Sequence, residues 1–516
     1  MEDEMFEKIS AFLEKVGVLS KGGGEDKIQQ RKQKGLLTAR ERIDTLLDKG
    51  TFNELDLFVE HQGRDFGLDK QKLAADGVIT GFGKVHGRDV CVYAQDFTVQ
   101  GGSLGKMHAA KITKVMDLAS KMGVPVVGIN DSGGARIQEG VDSLAGYGEI
   151  FYRNTINSGK IPQISVIMGP CAGGAVYSPA ITDFVFMVDK KSQMFITGPK
   201  VIESVLNEKI APEELGGALV HNKKTGNAHF FTKNEQETFE QIRKLLQFLP
   251  SAWDKEIPKS EPKPPKANYE ITRIVPEDTR KAYDVKDLIK AIVDNSDFME
   301  VQELFAQNVV VGFARLNGKS IGIVANQPKY LAGVLDVDSS DKAARFVRFC
   351  DAFNVPLLTL VDLPGYLPGV DQEHNGVIRH GAKLLYAFSE ASVPKVTLIV
   401  RKAYGGGYIA MSSKHLNTDF VYAWPTAEVA VMGPEGACNI IFAKEILESE
   451  NPELTRQQKV AEYKEKFSNP YKPASKGYVD AVIHPNDTRK TLISAFEIAK
   501  DKKPYYKEHK HGCIPL

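Results

Sequence analysis

Ile164-Ser165-Val166-Ile167-Met168 runs through Gly169-Pro170-Cys171-Ala172 into Gly173-Gly174-Ala175, and the chain writes this passage twice. The second version is Val396-Thr397-Leu398-Ile399-Val400, then Arg401-Lys402-Ala403-Tyr404, then Gly405-Gly406-Gly407. A short apolar run ending in a glycine turn reads as a buried strand feeding a helix. The two turns are offset by 232 in the numbering, and so are Ile161-Pro162 and Val393-Pro394. Working outward, Val124-Pro125 returns as Val355-Pro356, Lys111 as Lys342, Ala94 as Ala325, Gly87 as Gly318 and Gly81-Phe82 as Gly312-Phe313, each at an offset of 231. Downstream, Asp183-Phe184-Val185 matches Asp419-Phe420-Val421 at 236, and Gly198-Pro199 matches Gly433-Pro434 at 235. Coincidence does not hold an offset over about 120 residues, so the chain is an internal duplication.

Each copy has the same grammar. A first strand (Val90 to Tyr93; Ile321 to Val324) leads through a glycine loop to a helix. A second (Val124 to Ile129; Val355 to Val361) ends at Asp131 or Asp362, and the third is the passage quoted above. Alternation of this kind predicts an α/β fold with a mostly parallel sheet, whose ligand loops lie at the carboxyl ends of the strands. Pro250, Pro258, Pro262, Pro264, Pro265 and Pro276 mark an extended connector. The expected organisation is therefore 1–250, a connector over 251–275, and 276–516. Phe6, Ile9, Phe12, Leu13 and Val16 space out as an amphipathic helix ended by Gly22-Gly23-Gly24, and Lys490 to Leu516 reads as a helix with a polar tail.

Composition narrows the function. A chain of 516 residues suits two domains, and 66 basic residues against 66 acidic ones argue against a nucleic-acid surface. The hydrophobic share is 42%. No apolar run approaches the length of a membrane-spanning helix, which excludes such a span. Glu2, Asp3 and Glu4 are the wrong sign for a targeting peptide, and five scattered cysteines support neither disulfides nor zinc. The expectation is a cytoplasmic protein with no metal.

The paired turns carry the chemistry. Backbone N–H groups at a helix start face whatever anion or oxyanion is held there, and glycine lets a ligand approach. One such turn could equally serve strand–helix packing; two matched turns favour a ligand. Asp131-Ser132-Gly133-Gly134-Ala135-Arg136 offers Arg136 as a phosphate or carboxylate partner. Its counterpart, Pro364-Gly365-Tyr366-Leu367-Pro368-Gly369, is apolar and aromatic, so the two copies face different ligands. Gly101-Gly102-Ser103-Leu104-Gly105 fits G-x-S-x-G, but Gln95 to Gln100 separate the serine from its strand and the duplicate has Val334 in its place. Gly105-Lys106 lacks the rest of a P-loop, and Gly81-x-Gly83 lacks the third glycine of a dinucleotide site. His108, His221, His374 and His380 have no ligand spacing and read as surface or structural. No biotin-attachment sequence of the Ala-Met-Lys-Met kind occurs, so a carrier-bound cofactor, if one is used, must arrive on another chain.

Over essentially its whole length the chain resembles the carboxyltransferase (β) subunit of biotin-dependent acyl-CoA carboxylases, in the propionyl-CoA carboxylase group. The resemblance rests on Leu37-Thr38-Ala39-Arg40-Glu41-Arg42-Ile43, the Asp131 to Arg136 loop, Gly169 to Ala175 and Ser192 to Pro199. In the second half it rests on Ile378 to Leu385, Arg401 to Gly406 and Met432 to Ala437. It implies two tandem crotonase-like (ClpP/crotonase) domains, acyl-CoA held by the first and carboxybiotin by the second. It also implies a homohexamer, a trimer of dimers with sites between the first domain of one subunit and the second of another, served by a biotin carboxylase or biotin carrier subunit.

By that resemblance the protein must stabilise charge on the thioester enolate and on the biotin ureido oxygen, the ureido group itself taking the α-proton. Gly173, Gly174 and Ala175 fall to the enolate, and Gly405, Gly406 and Gly407 to the biotin oxygen. Gly133, Gly134, Ala135 and Arg136 fall to acyl-CoA, and Gly365, Tyr366, Leu367, Tyr408 and Ile409 to the biotin and acyl pocket. The family commonly has alanine where this chain has Gly407, and propionyl-type members often have aspartate at Ile409, which sets acetyl-CoA beside propionyl-CoA as substrate. A sodium-pumping methylmalonyl-CoA decarboxylase or a transcarboxylase would use the same site in other directions. From other classes, a serine hydrolase would need Ser103, and a scaffold would need no CoA affinity.

Overall fold

The structure is a computed structural model and describes residues 2–266, 270–503 and 511–516. The chain divides into two compact units, Met1–Glu256 and Ile257–Leu516. The first holds β1 (Asn53–Leu55), β2 (Val78–Val85), β3 (Arg88–Gln95), β4 (Val126–Ser132), β5 (Gln163–Ala172), β6 (Phe184–Val188), β7 (Gln193–Phe195) and β8 (Phe230–Thr232). The second holds β9 (Phe298–Val301), β10 (Val309–Leu316), β11 (Lys319–Asn326), β12 (Leu357–Leu363), β13 (Lys395–Tyr404), β14 (Phe420–Ala423), β15 (Glu428–Ala430) and β16 (Ala481–Val482).

Both sheets are wound alike. The orders are β1-β2-β3-β4-β5-β6-β8 and, read from the other edge, β9-β10-β11-β12-β13-β14-β16, with β7 beside the end of β5 and β15 beside the end of β13. Each starts with an antiparallel hairpin, β2–β3 or β10–β11, and continues parallel. Every residue of β4 and β12 is buried, as parallel strands covered on both faces require. The duplication extends to details. Gln100 and Gly101 hold φ of 49° and 63°, and their counterparts Leu331 and Ala332 hold 47° and 53°. The matched lysines are buried braces: Lys111 Nζ donates to the Ala75 and Val78 carbonyls, and Lys342 Nζ to those of Gln302 and Phe305.

Gly81 and Gly83 lie inside β2, not in a phosphate loop, and a Cβ on Gly81 would stand 2.2 Å from the Asn53 carbonyl. In the proline-rich stretch, the Ser260 N–H donates to the Gly318 carbonyl at 2.9 Å and Ile271–Ile274 form one helical turn; residues 267–269 of the connector lie outside the described residues. The first helix, Glu2–Leu19, forms as its spacing predicts, but Phe6, Ile9, Phe12 and Leu13 on its apolar stripe are exposed. The final helix is Thr488–Ala499, and residues 504–510 of the polar tail lie outside the described residues. Among the described residues, no helix is long and apolar enough to cross a membrane, and no His, Cys, Asp and Glu group could hold a metal.

Candidate active site

The two glycine turns share one backbone design. Gly173 at the end of β5 has φ 59°, and Gly405 at the end of β13 has φ 60°. This left-handed residue turns each strand directly into a helix, Gly173–Val176 continued by Tyr177–Ile181 in one copy and Gly405–Ala410 in the other. The N–H groups of Gly174 and Ala175, and of Gly406 and Gly407, therefore lie in the first turn of their helices, where backbone donors are least committed.

What stands behind the turns differs. A Cβ on Gly174 would meet the Tyr147 ring at 2.8 Å, whereas one on Gly406 would meet nothing within 4 Å. Ala175 fits its place and is buried, but at the equivalent Gly407 a Cβ would stand 2.5 Å from Leu363 Cδ1 and 3.2 Å from Gly365 Cα. A methyl at Gly407 would therefore require Leu363 to shift.

The loops after β4 and β12 reach the turns. Gly134 has φ 101°, and a Cβ there would lie 3.0 Å from the Ala172 carbonyl, just before the first turn. Gly365 has φ 131° and takes the matching place beside the Tyr404 carbonyl. Gly133 donates its N–H to the Gly101 carbonyl, and Ala135 bridges to Leu104 as Tyr366 does to Leu335. Leu367 N–H donates to the Leu335 carbonyl, and Tyr366 packs against Gly381. Tyr408 and Ile409 are half-buried in the helix behind Gly407.

Arg136 corrects the sequence reading. It is 1% exposed, and its guanidinium is consumed by Asp76 at 2.5 Å, Glu139 at 2.7 Å and the Ser103 carbonyl at 3.0 Å. Nothing of it is left to hold a ligand phosphate. Ser103 is likewise part of this bonding, its Oγ accepting from Arg136 Nε at 3.5 Å. The nearby His108 is buried against the Asp76 carbonyl and Gln95 and held well below its usual range by burial, so it is not placed to activate the serine.

Spacing marked Asp131 and Asp362 as a repeated pair but not their role as carboxylate pins. Asp131 and Asp362 each sit where the register between the two central strands shifts, a β-bulge that re-aims one side chain. Asp131 Oδ2 accepts from Arg31 at 2.6 Å and Arg42 at 2.7 Å, and Arg42 also pairs with Glu235 at 2.9 Å. Asp362 accepts from Arg401 at 3.0 Å, and Arg401 reaches on to the Lys281 carbonyl at 3.0 Å. Each pin ties a segment that precedes the sheet onto the carboxyl ends of the strands.

Beside the first pin opens a cleft of about 700 Å³. Lys27, Arg31, Lys34, Lys190 and Lys191 line it, together with Phe97, Gly169 and Pro170. These residues come from well-separated segments, so no motif announces them. Next to the second turn, burial pushes the hydroxyls of Tyr366 and Tyr408 up to about 12. Neither is an acid or base near neutrality.

Comparison with known proteins agrees with this geometry. The carboxyl transferase domain family matches residues 30–514. The chain is 55% identical to the carboxyltransferase subunit of propionyl-CoA carboxylase from Haloferax mediterranei, covering 99% of this chain and 100% of that one. It is also 55% identical to subunit alpha of methylmalonyl-CoA decarboxylase from Propionigenium modestum, covering 99% of each. Its fold matches the crystal structure of transcarboxylase 12S, a hexamer solved with methylmalonyl-coenzyme A bound, with a TM-score of 0.95, 50% identity and 98% of both chains covered. The duplicated sheets, the paired turns and these relatives together make the chain a member of the carboxyl transferase family, in the group of propionyl-CoA carboxylase β chains.

Proposed function

We propose that this protein moves a carboxyl group between carboxybiotin, carried on a partner chain, and the α-carbon of a short acyl-CoA. The observation that carries the reading is the pair of left-handed glycine turns, each presenting N–H donors at a helix head. Carboxybiotin would supply the carboxyl group as CO₂, and the ureido nitrogen freed by that cleavage would be basic enough to take the α-proton. The chain's part is then electrostatic and positional, which suits turns that present backbone donors.

The N–H groups of Gly174 and Ala175 would hold the thioester oxygen as it gains enolate charge. Those of Gly406 and Gly407 would hold the ureido oxygen. Preorganised donors of this kind contribute ~10²–10³ each in rate. Two features fit a ureido ring in the second copy: the open space over Gly406, and the buried Tyr408 hydroxyl, which has no hydrogen-bond partner among the described residues. The lysine-lined cleft of the first copy suits the phosphates of CoA, with Gly133 and Gly134 beside the thioester end. Ile409 leaves an apolar wall for acetyl or propionyl groups.

Assembly follows from surfaces. Val205 and Leu206 in the first unit and their counterparts Ile440 and Ile441 in the second are all exposed at matched helix positions. Such paired apolar faces suit a homohexamer, the state of transcarboxylase 12S. Relatives of equal identity include carboxylase and decarboxylase subunits, so the proposal concerns the transfer step, whichever way it runs.

The test is biotin-dependent loss of the carboxylate from methylmalonyl-CoA or malonyl-CoA by the purified chain, with free biotin or a biotinylated carrier. Wild type is expected to be active, and the ratio of the two substrates gives the acyl preference. Gly406→Pro removes one donor and should lower the rate ~10²-fold or more. Near-normal activity in that variant would overturn the assignment of the second turn.

A further inference from the structure

We infer that Tyr404 and Glu428 are a positioning pair peculiar to the second copy, which holds the strand end that carries Gly405, Gly406 and Gly407. Tyr404 is the last residue of β13, immediately before the left-handed Gly405, and is 5% exposed. Its hydroxyl donates to Glu428 Oε2 on β15. The inference rests on the proposed role of the second turn and concerns how that turn is held.

Comparison of the two copies separates packing from chemistry. In the first copy Ala172 ends the strand and stands opposite Phe195 of β7. In the second, Tyr404 ends the strand and stands opposite Ala430 of β15. The ring has changed strands but fills the same kind of space. A Cβ on Gly198 would touch the Phe195 ring at 3.4 Å, and one on the matching Gly433 would touch the Tyr404 ring at 3.7 Å. Packing therefore explains an aromatic ring here, and phenylalanine serves it in the first copy.

Packing does not explain the hydroxyl or its acceptor. Glu428 takes the place of Gln193, and directly across the ladder it faces Lys402 where the first copy has Pro170. Glu428 thus sits in the field of a lysine and is bonded by the tyrosine. The turn it steadies has little freedom, since a Cβ on Gly405 would come within 3.2 Å of the Val431 carbonyl at the exit of β15. β13 and β15 are joined by three ladder pairs, and the side-chain bond ties their ends across the turn. A charge-assisted bond there limits the swing of the Gly406 and Gly407 donors, and small misplacements of such donors are expensive in rate.

The experiment uses the full chain in the biotin-dependent decarboxylation of methylmalonyl-CoA. Tyr404→Phe keeps the ring and removes the bond. It should lower kcat ~10- to 100-fold while the KM for the CoA ester, set in the first copy, stays within about twofold. Glu428→Gln still offers an oxygen to the hydroxyl and should restore most of the rate, whereas Glu428→Ala should match Tyr404→Phe. Thermal unfolding should move by no more than about 2 °C in Tyr404→Phe and Glu428→Gln. Wild-type kcat in Tyr404→Phe, or a loss in Glu428→Gln equal to that in Glu428→Ala, would overturn the pair. If Tyr404→Phe fails to fold, the hydroxyl's bond is needed for the fold as well, and the two Glu428 variants decide alone. Gly406→Pro separates the two proposals: its activity reports on the turn's role, and only with that role intact does an unaffected Tyr404→Phe count against the pair.

Discussion

Alanine at matched glycines of the two turns should have opposite consequences for stability. Gly174 and Gly406 occupy equivalent places in the two copies, yet only Gly174 has a neighbour behind it. A methyl on Gly174 would lie 2.8 Å from Cδ2 and 3.0 Å from Cγ of Tyr147, a ring that is 4% exposed and stacked on Phe151 with centroids 6.0 Å apart. Neither ring can yield without moving the other, so Gly174→Ala overpacks a filled space, at a cost of about 1–3 kcal/mol. At roughly 3 °C per kcal/mol for a unit of this size, melting should fall by about 3–9 °C. Gly406→Ala meets nothing within 4 Å and replaces a flexible residue at a helix start, so its stability should stay within ~0.5 kcal/mol of wild type or rise slightly. Gly405→Ala completes the set: its φ of 60° alone costs an L-residue about 1–2 kcal/mol. Thermal scans and urea titrations of the three variants suffice. Equal destabilisation in Gly174→Ala and Gly406→Ala, or none in Gly174→Ala, would refute the assignment of crowding behind each turn.

Other outcomes follow from the pins, braces and cleft. Asp131→Asn removes the charge between Arg31 and Arg42 and should cost about 3–5 kcal/mol in denaturant titration, because the buried Arg31 loses its counter-ion and Arg42 keeps only Glu235. Burial pushes the Lys342 ammonium from its ordinary 10.5 down to about 7. Between those values the unfolded chain binds a proton that the folded chain has released, so this lysine makes stability rise with pH from about 7 towards 10.5. Lys342→Met should flatten that slope, and at neutral pH it should cost ~1–3 kcal/mol because the carbonyls of Gln302 and Phe305 lose their donor. Replacing Lys34 or Lys190 by alanine should weaken CoA binding in isothermal titration about twofold to fivefold each, with the difference shrinking as salt is raised.

Much of this architecture was legible because it depends on backbone periodicity and on glycine. The offsets between the copies are reproduced strand by strand, and the left-handed residues at Gly173 and Gly405 stand where apolar runs meet glycine pairs. Side-chain partnership was not legible. Arg136 follows a glycine loop and resembles a ligand arginine in sequence, but Asp76, far upstream, claims it in the fold. The cleft lysines at 27, 34, 190 and 191 belong to segments that only the folded sheet brings together. Asp131 and Asp362 were visible as a repeated aspartate. Their arginine partners were not, since Arg31 and Arg42 come from the N-terminal segment and the single Arg401 from the neighbouring strand.

That last difference bears on which copy takes which ligand. Both aspartates need a buried counter-charge at the same bulge. In the second copy it comes from β13 itself, so the ledge at the strand's carboxyl end carries Arg401, Lys402 and Tyr404. In the first copy Arg31 and Arg42 bring it from outside the sheet, and the same ledge is Gly169, Pro170 and Ala172. Small residues leave room there, and the lysine-lined cleft occupies it. The source of the arginines thus leaves space at the ledge of the first copy and a rim of large side chains in the second, which supports the proposed placing of the long anionic ligand in the first and the compact one in the second. Gly169→Ala tests the link. Its Cβ would stand 2.1 Å from Asp131 Oδ1, so the carboxylate must shift away from Arg31 and Arg42. The variant should lose stability on the scale of Asp131→Asn, about 3–5 kcal/mol, and should weaken CoA binding more than biotin-dependent kcat. A Gly169→Ala protein with wild-type stability would mean that the pin does not depend on the missing side chain, and the argument from ledge to ligand would fail with it.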